Sequence, residues 1–169
     1  MQKQIKFKKY LKTKRIIFLI MLAITFYIIF NFSAQEGQES SSISVKVTEF
    51  IVGIISKIKN MDIDLKMYYV QKLHPIIRKL AHFGIYTVVG FSTMGFMCTF
   101  NMRNIFKLII SFSIGLIYAI TDEFHQYFIP GRNASITDVC IDSAGVLIGI
   151  FILITVIIFI ESIVNWLKK

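Results

Sequence analysis

The side chains of this sequence that can do chemistry are ionisable and amide groups that border long apolar segments. Those that act as general acids and bases in enzymes, and are therefore candidate catalytic residues, are His82, Asp122, Glu123 and His125. Those with the charge or hydrogen-bonding capacity to hold a substrate or an anion are Arg78, Lys79, Gln126, Arg132, Asp138 and Asp142. Proton transfer and anion binding are therefore the first chemistries to consider.

A divalent metal is a further option, which the sequence leaves open. Imidazole and carboxylate ligands suit zinc, manganese and iron, so His82, Glu123 and His125 form the candidate ligand set. The chain has neither a His-Glu-x-x-His pattern nor a Cys-x-x-Cys pair, both of which are typical of zinc sites. We expect Cys98 and Cys140 to lie at opposite ends of the molecule, too far apart for a disulfide. The sequence requires no cofactor.

The elements that must position these residues are predicted to be membrane helices. Of the 169 residues, 55% are hydrophobic and 17% are charged, and the mean hydropathy is +0.65. An ordinary soluble domain has roughly 25% charged residues. Four apolar stretches, at about 16–32, 80–100, 105–124 and 139–160, are long enough to cross a bilayer core. We therefore predict an all-α integral membrane protein with a single four-helix domain over residues 16–160.

The segment between the first two predicted spans contains an amphipathic pattern. Apolar residues recur there at helical spacing: Ile43, Val47, Phe50, Ile51, Ile54, Ile55 and Ile58. This spacing predicts a helix over residues 43–59 that either lies on the membrane surface or packs on the end of the bundle. Pro75 is expected in the first turn of the next span, where its missing N–H costs no hydrogen bond.

The distribution of basic residues predicts the topology. Seven of the 19 Lys and Arg residues lie in segment 1–15. Four more are predicted on the same side of the membrane as this segment: Arg103, Lys107, Lys168 and Lys169. Because basic segments tend to stay in the cytoplasm, we expect segments 1–15 and 161–169 to be cytoplasmic and the amphipathic helix to be extracytoplasmic. The net charge of +9 is thus interpreted as a topology signal, and no nucleic-acid partner is expected.

Helical spacing places polar residues and glycines on one face of each of the last three spans. These faces are predicted to meet, because charges near lipid are costly and small residues let helices approach. The predicted packing glycines are Gly90, Gly115, Gly145 and Gly149. The result would be a polar site that opens to the outside and is closed beneath by glycine contacts. The competing interpretation is an ion-pair network whose only role is to fix the helices relative to one another. For Arg132 there are two options, binding of an anion or an ion pair with Asp138.

The same residues form four sequence blocks. They are Phe32-Ser33-x-Gln35, Arg78-Lys79-x-Ala81-His82-Phe83-x-x-Tyr86, Tyr118-Ala119-x-x-Asp122-Glu123-x-His125-Gln126-x-Phe128-x-Pro130-Gly131-Arg132, and Asp138-x-x-x-Asp142-x-x-Gly145-x-x-x-Gly149. Together they resemble the VanZ-like family of bacterial membrane proteins. The third block is long and unusual, which makes the resemblance specific. Asp142 departs from the family pattern, which often has Asn at this position.

The resemblance implies a multi-pass protein of the bacterial cell membrane that reduces susceptibility to teicoplanin and other lipid-tailed glycopeptides, or that has a related cell-envelope role. Its implied partners are the lipid bilayer and, at the outer leaflet, a lipid-linked cell-wall precursor or the glycopeptide itself. Two alternatives stay open. One is a membrane-embedded enzyme that uses the His, Glu and Asp residues, with or without a metal, on a lipid-linked or peptidoglycan substrate, and the other is a small transporter. Whether a reaction is catalysed, and the oligomeric state, are left open.

Overall fold

The structure, a computed structural model, describes residues 2–168, with side chains from Tyr10 onward. Its helices are α1 (Gln2–Ser33), α2 (Gly37–Lys59), α3 (Ile63–Met97), α4 (Asn104–Gln126) and α5 (Ile136–Trp166). All regular secondary structure in this range is helical, and four helices are long and apolar enough to cross a membrane: α1 from Tyr10, α3, α4 and α5. The all-α, four-span prediction is confirmed. The side chains of residues 1–9 and of Lys169, which belong to the predicted basic ends, lie outside the described residues.

The most extensive contact between helices joins α3 to α5. Gly90, Gly145 and Gly149 lie in it, and a Cβ added at any of them would overlap a backbone carbonyl of the opposite helix. Gly115 of α4 packs against the side chain of Val146 in α5. Each predicted packing glycine thus lies at a contact between helices, where the missing side chain lets the two helices approach closely.

Helix α3 begins earlier in the chain than the predicted span. It has 35 residues, and Asp62 caps its first turn by accepting a hydrogen bond from the Ile63 N–H at 2.7 Å. Pro75 lies inside this helix, so the prediction that Pro75 would begin it was wrong. Pro75 has no N–H to pair with the Gln71 carbonyl, but His74 Nδ1 lies 3.1 Å from that oxygen and donates to it in the tautomer that carries a proton there. The His74 ring therefore compensates for the bond that proline removes.

The predicted amphipathic helix is present as α2, which packs against α3. Its buried face includes the small or polar residues Ser44, Thr48 and Val52. The two hydroxyls donate to carbonyls of their own helix, so their burial leaves no donor unpaired. Much of the apolar face is exposed, with Phe50 70% exposed and Ile58 77% exposed. Helix α2 thus packs on the bundle while most of its large apolar side chains stay uncovered by the described chain.

The two ends of the bundle differ. The last turn of α1, the start of α2 and the loop 127–135 between α4 and α5 meet at one end, which we call the pocket end. At the opposite end, the Arg15 guanidinium donates to the Thr99 hydroxyl at 3.1 Å and to the Thr99 carbonyl at 3.2 Å. It also lies 4.0 Å from the centre of the Phe100 ring. Arg15 therefore ties α1 to the turn that follows α3.

Gly149→Ala is predicted to lower the free energy of unfolding by about 1–3 kcal/mol, because the added methyl group would overlap the backbone of α3. Gly84→Ala is the matched control in α3, since a Cβ there meets nothing within 4 Å. It should be neutral or stabilising by up to about 1 kcal/mol through helix propensity. Thermal unfolding of the purified protein in detergent measures both variants. Equal midpoints would contradict the close contact between α3 and α5.

Candidate functional site

A cavity of about 300 Å³, which we call the polar pocket, lies at the pocket end. Residues of α3, α4, the loop 127–135 and α5 form its wall. The predicted site residues that line it are Arg78, Lys79, His82, Glu123, Gln126, Arg132, Asp138 and Asp142. Asp122 is buried beside it, in contact range of His82 and Asp142, whereas His125 is not part of its wall. Most of the predicted residues therefore come together at one place.

Arg132 connects the loop to the end of α1. It is 8% exposed, and its Nε donates to the Gln35 carbonyl at 2.9 Å, its Nη1 to the Gln126 side-chain oxygen at 3.1 Å, and its Nη2 to the Phe32 carbonyl. Burial lowers the pKa of the Arg132 guanidinium from its ordinary value, but an arginine stays protonated in proteins. Arg132 therefore acts as a charged clamp between the loop 127–135 and the end of α1.

Further contacts hold the same loop. The Gly37 N–H donates to the Pro130 carbonyl at 3.0 Å, and a Cβ at Gly37 would overlap the Gly131 carbonyl. Gly131 has a φ of +73°, in the left-handed region that favours glycine. On the other side, Glu123 Oε2 accepts a hydrogen bond from the Ser135 N–H at 2.8 Å, directly before α5 begins. The loop is thus fixed by the start of α2 and by the end of α4.

Asp138 pairs with a lysine in the described structure. Lys79 Nζ lies 3.2 Å from Asp138 Oδ1, and the two side chains are 49% and 34% exposed. The alternative in which Arg132 pairs with Asp138 to close the loop is therefore wrong, because the Arg132 nitrogens bind carbonyl and amide oxygens. An ion pair as exposed as this one contributes at most about 1 kcal/mol. Its main effect is to orient two side chains at the rim of the polar pocket.

Three side chains converge beside the polar pocket: His82 of α3, Asp122 of α4 and Asp142 of α5. We call them the His-Asp-Asp trio. One ligand atom from each lies within 4.8 Å of the other two, and His82 Nδ1 lies 3.9 Å from Asp142 Oδ1. Asp142 is wholly buried and Asp122 is 5% exposed. The trio therefore places two buried carboxylates next to an imidazole whose side chain is 27% exposed.

The trio contains polar atoms that lack partners. Within residues 10–168, neither carboxylate oxygen of Asp142 has a hydrogen-bond partner, and His82 Nδ1 has none. The hydroxyl of Tyr86, a fully buried residue one turn from His82, interacts with the Asp122 carboxylate of the trio. Buried polar groups without partners are costly and rare, and where they occur they point to a bound water, ion or ligand. The space among these atoms is therefore a candidate binding site.

A chain of hydrogen bonds links the trio to the clamp. Arg132 Nη1 donates to Gln126 Oε1, and Gln126 Nε2 donates to Asp122 Oδ2 at 3.1 Å. Because a guanidinium has only donors, the Gln126 oxygen must face Arg132 and the Gln126 amino group must face Asp122. The orientation of the Asp122 carboxylate therefore depends on the contacts of the loop.

The structure assembles a metal-ligand set that differs from the predicted one. Glu123 lines the polar pocket but is not in the trio, and one of its oxygens is engaged by Ser135. His125 lies against α1, where its ring packs edge-on against Phe30 with 5.1 Å between ring centres. The residues that could hold a metal are instead the members of the trio. One imidazole and two carboxylates suit divalent ions such as zinc and manganese.

An apolar cleft of about 220 Å³ adjoins the polar pocket on the side of α1 and α2. Its apolar lining consists of Ile29, Phe32, Ile43, Val47, Ile77, Ala81 and Ile85. Arg78 and His82 line both cavities. Arg78 is half-buried, and its side chain forms no hydrogen bond or ion pair within the described residues. The cleft was not predicted, because nothing in the sequence shows that α2 lies next to both α1 and α3.

Fold and site together define a multi-pass helical membrane protein with an ionisable pocket at one end of its bundle. The model of the family described as VanZ/LLP1 matches residues 18–160 of this chain, a range that contains the whole polar pocket and the trio. The chain therefore belongs to the VanZ/LLP1 family, as the four sequence blocks predicted. No curated protein and no solved structure gives a significant match.

Arg132→Ala is predicted to lower the free energy of unfolding by about 2–4 kcal/mol, because two backbone carbonyls and the Gln126 amide lose a charged, buried donor. Lys79→Ala removes an exposed cation from the same pocket and should change stability by less than about 1 kcal/mol. Thermal unfolding of both variants in one detergent makes the comparison. Similar midpoints for the two would show that Arg132 is not a clamp.

Proposed function

We propose that this VanZ-like protein binds a lipid-linked amphiphile at the extracytoplasmic face of the bacterial cell membrane. By doing so it lowers susceptibility to teicoplanin and other lipid-tailed glycopeptides, or serves a related envelope role. The observation that carries the proposal is that the polar pocket and the apolar cleft meet at Arg78 and His82. A molecule with a polar head and an apolar tail can occupy both cavities at once.

The polar pocket suits an anionic head group with many hydrogen-bonding atoms. Arg78 is unpaired within the described chain, and its planar guanidinium matches the geometry of a phosphate or a carboxylate. Asn133, with Lys79 and Asp138 at the rim, adds donors and acceptors for sugar or peptide groups. Phosphate, sugar and peptide groups are the components of the head group of a lipid-linked cell-wall precursor, which supports this substrate class.

The apolar cleft suits the tail of the same molecule. Its wall is largely aliphatic, and α2 contributes Ile43 and Val47 to it. Five further apolar side chains of α2 are exposed, as expected for a helix that also contacts lipid: Phe50, Ile51, Ile54, Ile55 and Ile58. An acyl or isoprenoid chain that enters the cleft would therefore pass from one apolar environment into another, while its head group reaches Arg78.

The extracytoplasmic placement is supported by the distribution of charge. The seven basic residues of segment 1–15 lie at the start of α1, and Arg103 and Lys107 flank the start of α4, all at the end opposite the pocket. If this basic end is cytoplasmic, the polar pocket opens to the outside. Glycopeptides and their cell-wall targets are found in that compartment.

A second candidate function is turnover of the bound amphiphile. The His-Asp-Asp trio favours it, because an imidazole and two carboxylates beside a cavity are groups that enzymes use for proton transfer. Incubation of the purified protein with a lipid-linked precursor, followed by mass spectrometry, tests this candidate. Recovery of the precursor unchanged would eliminate turnover and leave binding.

Expression of the chain in a glycopeptide-susceptible bacterium is predicted to raise the minimal inhibitory concentration of teicoplanin, and Arg78→Ala is predicted to abolish this increase. The reason is that Arg78, which has no ion-pair partner among the side chains that the structure describes, lies at the junction of both cavities. Lys72→Ala removes an exposed cation of α3 that is not part of either cavity wall, and it should retain protection. Immunoblots of the membrane fraction check that the variants are present in equal amounts.

Ala81→Trp tests the cleft separately, because it fills the space for a tail and leaves Arg78 in place. This variant is expected to lose protection against teicoplanin. Protection by the unmodified chain should also be weaker against a glycopeptide that has no lipid tail. If Arg78→Ala and Ala81→Trp both protect as well as the unmodified chain, the proposed binding mode is wrong.

A further inference from the structure

We propose that His82, Asp122 and Asp142 bind one divalent transition-metal ion beside the polar pocket. The three ligands come from α3, α4 and α5, so the ion would link three of the four predicted membrane helices. This inference does not depend on the amphiphile proposed above, because it concerns the ion alone.

The geometry of the trio is close to that of a metal site. Ligand atoms that share a zinc ion lie about 2.0–2.2 Å from it, and therefore about 3–3.5 Å from one another. In the described structure the three ligand atoms lie within 4.8 Å of one another, and His82 Nδ1 is 3.9 Å from Asp142 Oδ1. Closing the remaining gap, which is less than about 2 Å between any two ligand atoms, takes only small changes in side-chain torsions.

The two buried carboxylates need either a proton or a cation to compensate their charge. Asp142 is wholly buried, and both of its oxygens lack a hydrogen bond within the described chain. Asp122 is 5% exposed and accepts a bond from Gln126. Two carboxylates this close cannot both be ionised in a low-dielectric interior without a cation between them.

The basic side chains nearby do not supply that cation. Arg132 directs its nitrogens to backbone and amide oxygens, and Lys79 pairs with Asp138. Arg78, one turn from His82 on α3, forms no ion pair with either carboxylate in the part of the chain that the structure describes. A divalent ion would neutralise both carboxylates and provide a partner for the unpaired atoms of His82 and Asp142.

The donor set suits zinc, manganese or iron(II). Imidazole disfavours magnesium and calcium, and carboxylates without a thiolate disfavour copper(I). The Asp122 carboxylate is oriented by Gln126, which is itself held by Arg132, and proteins commonly position metal ligands through such hydrogen bonds. His82 and Asp142 also line the polar pocket, so a coordination position without a protein ligand would face that cavity.

The test uses the purified full-length chain in detergent, freed of metal by a chelator and then titrated with Mn²⁺. Loss of the electron paramagnetic resonance signal of free Mn²⁺ measures the bound ion. We expect one Mn²⁺ per chain, displaced by Zn²⁺. Asp142→Asn and His82→Ala should weaken binding by at least about tenfold, a loss seen even for residues that only orient a ligand. Asp64→Asn makes the same chemical change at an exposed position 18 residues before His82 in α3 and, as the matched control, should bind like the unmodified chain.

Thermal unfolding distinguishes a lost site from a lost fold. Mn²⁺ should raise the unfolding midpoint of the unmodified chain and of Asp64→Asn, because an ion that binds only the folded state stabilises it. It should not raise the midpoint of Asp142→Asn, which is expected to fold without metal because the substitution removes a buried charge. Failure of the unmodified chain to bind Mn²⁺ or Zn²⁺ would overturn the proposal. Equal binding by Asp142→Asn, or loss of binding in Asp64→Asn alone, would overturn it as well.

Discussion

Two carboxylates buried side by side, Asp122 on α4 and Asp142 on α5, are the constraint on which the pocket end of this bundle depends. A charged group in contact with lipid is unfavourable, so both must face the interior, and their helices must stay close to α3. The glycine contacts between α3 and α5 provide that closeness. Arg132 then holds the loop above the site and, through Gln126, orients Asp122. One network therefore joins the end of α1, the loop and the trio.

The membrane environment explains why α2 has its unusual arrangement. In a soluble protein an amphipathic helix buries its apolar face, whereas α2 buries Ser44 and Thr48 and exposes Phe50 and Ile58. Hydroxyls that bond within their own helix can be packed against a neighbour, and lipid is an adequate solvent for the apolar side chains. This packing also forms the apolar cleft beside a charged pocket. The contact between the two cavities is what makes a lipid-linked amphiphile the ligand class we propose.

Much of this architecture follows from hydropathy, which predicted the four spans, and from helical periodicity, which predicted the amphipathic helix and the grouping of the ionisable residues. The finer details could not. Around the axis of α4, His125 and Gln126 point to either side of Asp122. Only the position of α1 determines that His125 packs on Phe30 whereas Gln126 joins the site. The partners of Arg132 are mainly backbone carbonyls, which every residue has, so no sequence pattern identifies them. The interior position of Pro75 depends on one side-chain bond from His74.

The most direct test of this account is an experimentally determined structure of the protein in a lipid environment. The account predicts that the ligand atoms of His82, Asp122 and Asp142 lie within about 5 Å of one another beside the polar pocket, with Arg132 bonded to the end of α1. A structure in which one of the three side chains faces lipid, or in which they lie at different membrane surfaces, would contradict it.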